Sequence, residues 1–160
     1  MSDPETQLAG FMAKYAPEIA ARGRAVIDRL HARLPTAFRL VYDNYNALAV
    51  GFVPDERTSN AILSVVFYPR WITLFFLQGA GLHDPHRILK GSGNVVRHVV
   101  LAQPDDLDRA DISAMIDQAL ARAKVPLKAQ GEGRLIIKSV SARQRPRRPA
   151  VGAARRQPQS

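Results

Sequence analysis

The chain has 160 residues, of which 46% are hydrophobic, and it contains no cysteine. This length is typical of one domain that buries a real core, and the lack of cysteine excludes disulfide bonds and thiolate metal sites. The longest mainly apolar run, residues 71–77, is far shorter than the roughly 20 residues of a membrane-spanning helix. Acidic residues near the start do not fit a signal peptide, so we expect a cytoplasmic protein with no membrane segment.

The net charge of +9 is unevenly distributed along the chain. Residues 138–160 hold seven of the 23 Lys and Arg residues and no acid, which leaves 16 basic and 14 acidic residues in the rest. Residues 142–160 are rich in Arg and Pro and have few large apolar side chains, so burial cannot offset the entropy lost on ordering them. We therefore predict one domain over residues 1–141 and a disordered basic tail over residues 142–160.

Two helices are predicted at the start of the chain. Residues 4–15 place apolar side chains at helical spacing, and a second amphipathic helix begins at Pro17 and ends before Pro35. Five apolar, β-favouring runs follow, separated by turn-forming residues: residues 38–42, 48–53, 61–68, 71–77 and 95–101. Asp108 then begins a helix that runs to about Lys124, and residues 134–141 form a final edge strand.

This order of elements predicts an α+β fold, in which an antiparallel sheet of about five to six strands carries helices mainly on one face. Two of the runs, residues 48–53 and 71–77, are apolar on both alternating faces. A sheet with one face in water needs apolar side chains on its other face only. We expect either that both faces are covered or that one face joins another subunit, as in a homodimer.

Two stretches of the chain carry a family resemblance. Residues 42–52, YDNYNALAVGF, and residues 79–101, GAGLHDPHRILKGSGNVVRHVVL, together with the closing amphipathic helix, resemble the YdhG-like family of small bacterial cytoplasmic domains. The resemblance covers residues 5–125 and implies an α+β fold. It also implies a link to iron, because some members of the family are described as frataxin-like iron-handling proteins. It implies no active site.

A turn and a strand in the second stretch form a candidate ligand site. Backbone N–H groups of a Gly-Ser-Gly turn beside a lysine can cradle an anion, whereas the simpler interpretation is that these glycines only end a helical turn begun by Asp84 and Pro85. Arg97 and His98 point to opposite faces of a strand, so at most one of them shares a site with the turn. Tyr42, Asp43 and Tyr45 lie beside a second turn, between the first two predicted strands, and could line the same pocket. The predicted ligand-binding residues are therefore Tyr42, Asp43, Tyr45, Lys90, Gly91, Ser92, Gly93, Arg97 and His98.

Two groups of side chains are candidates for iron. His83 and His86 are three residues apart, which places them on one side of a helical turn, and Asp84 could add an oxygen ligand unless it caps that turn. The acids Asp105, Asp106, Asp108 and Asp111 are the second group. Acids are also favoured at a helix amino terminus for electrostatic reasons, which explains the second group without a metal.

No sequence motif indicates catalysis, since a cysteine nucleophile, a Gly-x-Ser-x-Gly elbow and a dinucleotide fingerprint are all absent. We therefore favour a non-enzymatic module that binds a small ligand or handles iron, with its pocket between the two turns. The alternative is an interaction protein whose tail contacts nucleic acid or another polyanion, unless the tail is only solubilising. The tail arginines are Arg143, Arg145, Arg147, Arg148, Arg155 and Arg156.

Overall fold

The computed structural model describes residues 3–150 and gives that part of the chain three α-helices and six β-strands. The helices are α1 (Pro4–Met12), α2 (Pro17–Arg33) and α3 (Ala110–Ala121). The strands are β1 (Phe38–Asp43), β2 (Leu48–Val53), β3 (Leu63–Phe67), β4 (Ile72–Phe76), β5 (Arg97–Leu101) and β6 (Leu135–Val140). Short 3-10 turns lie at Thr58–Asn60, Gly79–Gly81 and Pro104–Asp108. The elements follow the predicted order, and the α+β class is confirmed.

Three predicted helix ends differ from the structure. α1 ends at Met12, because Pro17 begins the next helix and the residues between must turn. α3 begins at Ala110, because Pro104–Asp108 forms a separate turn in which Gln103 and Asp106 cap each other's backbone. α3 also ends at Ala121, so the cationic residues that follow it stand in a loop rather than on a helix.

The six strands form one sheet in the order β5-β4-β3-β2-β1-β6. All neighbours are antiparallel except β1 and β6, which are parallel. β6 follows α3 and crosses to the far edge of the sheet, beside the first strand. The antiparallel prediction therefore holds for four of the five strand pairs and fails for the crossover pair, whereas β6 is an edge strand as predicted.

The helices pack on one face of the sheet, as predicted. Residues at paired positions on five neighbouring strands form a row of buried aliphatic side chains that faces the helices: Val41, Val50, Val65, Leu74 and Val99. α2 lies close to the sheet at Gly23, where an added Cβ would come within 2.1 Å of the Phe67 ring. The opposite face is covered in part by residues 54–61, where Tyr42 and Thr58 share a hydrogen bond. No helix within residues 3–150 has the length and apolar character to cross a membrane.

Residues 141–150, here called the C-terminal strap, pack against the domain. Arg145 donates its backbone N–H to the Tyr45 carbonyl at 2.8 Å, and the Arg147 side chain is buried. The prediction of disorder from residue 142 is therefore wrong for residues 142–150. It rested on the scarcity of apolar side chains, whereas a guanidinium can be buried when a carboxylate and carbonyl groups accept hydrogen bonds from both of its terminal nitrogens, as in Arg147. Residues 151–160 lie outside the described part of the chain.

Candidate functional site

The turn between β1 and β2 carries the first group of predicted ligand-binding residues. Asp43, at the end of β1, is fully buried and accepts hydrogen bonds from Lys14 Nζ at 2.8 Å and Arg147 Nη2 at 2.9 Å. Burial on its own raises the pKa of Asp43, but the hydrogen bonds from Lys14, Gln144 and Arg147 outweigh it and hold that pKa below its usual value. Since protein cations occupy the carboxylate, Asp43 has a structural role here.

Tyr15 completes this buried cluster from the helix side. Its hydroxyl donates to the Phe67 carbonyl at 3.0 Å and accepts from the Leu48 N–H at 3.1 Å. The Arg147 guanidinium lies over the Tyr15 ring, 5.8 Å from its centroid. Burial raises the pKa of the Tyr15 hydroxyl. We call Lys14, Tyr15, Asp43 and Arg147 the strap anchor, because together they fix the C-terminal strap to α1 and to the sheet.

The second predicted group surrounds the Gly-Ser-Gly turn at the other edge of the sheet. Lys90 and His98 exchange two backbone hydrogen bonds of 2.8 and 2.9 Å, which ties the turn segment to β5. Gly91 has φ of 120°, a conformation that favours glycine. The Arg97 guanidinium donates to the Gly93 carbonyl at 2.5 Å and to the Val96 carbonyl at 2.8 Å. Arg97 therefore holds its own turn together, in place of the predicted contact with an anion.

His98 lies on the opposite face of β5 from Arg97, as strand geometry predicts. The imidazole is half-buried against the Phe75 ring, with 5.2 Å between the ring centroids. Burial, together with the positive charge of Lys90, lowers the pKa of His98. Both effects favour the neutral form of the His98 imidazole.

The two predicted groups do not form one pocket. β1 and β5 are separated by three strands in the sheet order, which corresponds to about 19 Å at the usual spacing between strands. The predicted pocket between the turn of Tyr42, Asp43 and Tyr45 and the segment from Lys90 to His98 is therefore wrong. The error arose because sequence patterns locate turns without fixing which turns meet.

The two histidines proposed for iron lie beside an aspartate that caps a turn. His83 and His86 border a small cleft of about 250 Å³. Asp84 accepts the backbone N–H groups of Ile88 and Leu89 at 3.0 and 2.9 Å, so it caps that turn. Within residues 3–150, no three His, Asp or Glu side chains are grouped so that they could hold a metal ion. The two imidazoles therefore lack a third donor in the described structure.

The acidic group is also engaged with protein partners. Asp106 accepts from the Ala102 N–H at 2.8 Å within the 3-10 turn. Asp108 pairs with Arg29 at 2.7 Å, and Asp111 pairs with Arg109 at the same distance. These contacts agree with the structural alternative for this group, in which acids stabilise the start of a helix.

The arginines of the strap differ in their surroundings. Arg147 is buried in the strap anchor, so its predicted role in binding a polyanion is wrong. Arg148 donates Nε to the Lys14 carbonyl at 3.1 Å at the end of α1. Arg143 and Arg145 are exposed, and their side chains have no hydrogen-bond or ion-pair partner within residues 3–150. Arg155 and Arg156 lie outside the described residues.

A larger cleft, which the sequence did not predict, lies where the end of β4 meets the loop after α3. Its volume is about 380 Å³. Apolar side chains form its interior, and amide and hydroxyl groups are interspersed among them. The lining residues are Ser59, Asn60, Ala61, Ile62, Phe76, Gln78, Ala80, Gly81, Leu82, Asn94, Val95, Ala119, Arg122, Ala123, Lys124 and Val125. Asn94 and Val95 directly follow the Gly-Ser-Gly turn, so that turn positions one wall of this cleft.

The cleft is cationic and its mouth is apolar. Arg122 and Lys124 line it, and neither forms an ion pair within the described residues. Gly81 leaves room for the guanidinium, since an added Cβ there would come within 3.0 Å of Arg122 Nη2. Val95 and Val125 are 44% and 40% exposed, so two aliphatic side chains of the lining are open to solvent. We call this site the anion cleft.

No family model, no curated protein and no solved structure matches this chain. The resemblance of residues 5–125 to the YdhG-like family stays a prediction.

Proposed function

We propose that this protein is a non-enzymatic binding module for a small organic anion, which it holds in the anion cleft. The observation that carries the proposal is the combination in one cleft of two cations without acidic partners and two exposed valines. A volume of about 380 Å³ lies in the lower part of the range for small-molecule sites. The ligand is therefore a small molecule rather than a peptide or a large cofactor.

The chemistry of the lining defines the class of ligand. The planar guanidinium of Arg122 fits a carboxylate or phosphate oxygen pair, and Lys124 adds a second positive charge on a flexible stem. Leu82, Val95 and Val125 provide a surface for an apolar body. An amphipathic anion, such as a carboxylic acid or a phosphate ester with a short chain or one ring, satisfies both parts of the cleft.

The polar groups of the cleft support binding rather than catalysis. Ser59, Asn60, Gln78 and Asn94 are neutral hydrogen-bonding side chains that orient a ligand. The lining contains no His, Asp or Glu, which are the residues most often used as general acids and bases. Iron handling is not part of the proposal, because the described residues offer no group of three donors.

Thermal denaturation in the presence of matched anions and alcohols tests the proposal. Benzoate, hexanoate and phenyl phosphate should raise the melting temperature in a concentration-dependent manner, because a ligand that binds only the folded state stabilises it by mass action. Benzyl alcohol and hexanol, which have the same apolar parts without the charge, should have little effect. Equal responses to the anions and the alcohols would contradict the assignment of the two cations.

A matched pair of double variants locates the effect. Arg122→Gln/Lys124→Gln should lose the response to anions, whereas Arg87→Gln/Lys90→Gln should keep it. Each double variant removes two positive charges from exposed residues. If both variants lose the response equally, general charge attraction explains it and the anion cleft is not the site.

A further inference from the structure

A second surface, independent of the anion cleft, surrounds the C-terminal strap. Tyr45 and Val140 are 48% and 51% exposed. Both lie beside the strap, because Val140 pairs with Asp43 in the sheet and the Tyr45 carbonyl accepts hydrogen bonds from the strap. Exposed aromatic and aliphatic side chains at one place indicate a contact surface.

Unpaired arginines flank this apolar pair. Arg143 and Arg145 lie in the strap itself and have no acidic partner in the described structure. The carboxylate in this region is Asp43, which is buried and pairs with Lys14 and with Arg147 of the strap. The exposed charge that the strap contributes is therefore positive.

The strap anchor makes this surface rigid. Arg147 donates to the carbonyls of Asn44 and Tyr45 at 2.5 and 3.3 Å, and Arg145 donates its backbone N–H to the same Tyr45 carbonyl. The backbone that carries Tyr45 is thus held from two sides. Because this backbone is already ordered, a ligand that binds beside Tyr45 costs little further backbone entropy.

We propose that this surface, formed by Tyr45, Val140, Arg143 and Arg145, binds single-stranded nucleic acid. The aromatic ring stacks on an unpaired base, and the two arginines contact the phosphates on either side. A duplex fits less well, because its bases are stacked on one another and present no free face to Tyr45. This differs from binding by a disordered tail, since the residues that bind are ordered and held by the strap anchor.

Fluorescence anisotropy with the full chain tests this proposal. The probe is a labelled oligothymidine of about 15 nucleotides, which matches the upper end of common single-strand site sizes. Tyr45→Ala should weaken binding about fivefold or more, whereas Tyr45→Phe, which keeps the ring, should bind within about twofold of the wild type. Equal affinity of the wild type and Tyr45→Ala would overturn the stacking contact and with it the proposal.

Three charge-matched double variants separate the strap from other cations. Arg143→Ala/Arg145→Ala should weaken binding and make the slope of log affinity against log salt less steep by about 1.4, given about 0.7 for each phosphate contact on a single strand. Arg87→Ala/Lys90→Ala and Arg155→Ala/Arg156→Ala should change the slope far less. Equal effects of all three variants, or the largest effect in the pair at 155 and 156, would overturn the proposal.

Two competitors check the class of partner. An unlabelled duplex of the same length and vesicles containing phosphatidylserine should both displace the labelled single strand less well than an unlabelled single strand does. If the vesicles or the duplex compete as well as the single strand, the surface recognises anionic charge in general, and the assignment to single-stranded nucleic acid is wrong.

Discussion

Arg147 Nη2 lies 2.9 Å from Asp43 Oδ1, and the two side chains are 4% and 0% exposed. This ion pair joins the C-terminal strap to the end of β1, although the two residues are far apart in the sequence. Lys14 contacts the second carboxylate oxygen, so both oxygens of Asp43 have a cationic partner. A buried charge that loses its partner is costly, which makes this pair the main determinant of whether the strap stays in place.

Replacement of Arg147 by alanine should destabilise the whole domain. The change leaves Asp43 buried with Lys14 as its one cation and removes a charge-assisted hydrogen bond, which commonly costs about 1.5–3 kcal/mol. The free energy of unfolding in urea measures this effect. Arg143→Ala is the control and should stay within about 0.5 kcal/mol of the wild type, because its side chain is exposed and unpaired. An Arg147→Ala protein as stable as the control would show that the strap is dispensable.

The strap anchor should also make stability depend on pH in the acid range. The folded state lowers the pKa of Asp43 below its unfolded value of about 3.9, so its contribution is present above that value and is lost as pH falls through the folded pKa. The free energy of unfolding should fall more steeply below about pH 4 in the wild type than in Asp43→Asn. Asp3 and Asp111 also have lowered pKa values. Only the difference between the two proteins isolates Asp43, and identical pH profiles would mean that this carboxylate is not stabilised by its partners.

His98 provides a second titration near neutral pH. Burial and the charge of Lys90 lower its pKa, so the unfolded chain binds this proton more tightly than the folded protein does. The contribution of His98 should therefore favour unfolding as pH falls below about 6.5. An NMR titration of the imidazole should give a pKa below the usual value in the wild type and a higher one in Lys90→Gln. A pKa of His98 that does not change in Lys90→Gln would show that the lysine charge does not contribute to the lowering of this pKa.

Two glycine positions in helices should respond in opposite directions to the same substitution. Gly23→Ala places a methyl group within 2.1 Å of the Phe67 ring and should destabilise the fold by about 1–3 kcal/mol through overpacking. Gly10→Ala meets nothing within 4 Å in α1 and should stabilise the fold by about 0.4–1 kcal/mol by restricting the unfolded chain. Urea denaturation measures both. A stabilising Gly23→Ala would mean that α2 is not held against the sheet as described.

Much of the fold follows from local patterns in the sequence. The strands from Phe38 to Leu101 were predictable because runs of β-favouring residues are separated by turn-forming residues such as Asp43 and Asn44. The edge position of β6 was predicted, but its parallel pairing with β1 was not, because a parallel crossover depends on tertiary packing rather than on any local signal. The burial of Arg147 could not be predicted from the sequence either, since composition alone indicates that an arginine-rich segment is solvated.

The candidate site was harder to predict than the fold. The sequence predicted a helix that runs to about Lys124, which would place Arg122 and Lys124 in its last turn. The helix instead ends at Ala121, and both residues reach the anion cleft from the loop. The sequence did point to residues 91–93, and the next two residues, Asn94 and Val95, line this cleft. The turn predicted from the sequence thus located one wall of the anion cleft. The position of the opposite wall depends on tertiary packing, which the sequence pattern does not reveal.

An NMR titration of the isotope-labelled full chain with phenyl phosphate tests the central claim most directly, because it reports where an organic anion binds. We expect saturable shifts at the backbone amides of Asn94, Val95, Arg122, Lys124 and Val125, and loss of these shifts in Arg122→Gln/Lys124→Gln. Shifts that do not saturate, or that cluster instead around Lys90 to Gly93 or the C-terminal strap, would contradict the assignment of the anion cleft as the binding site.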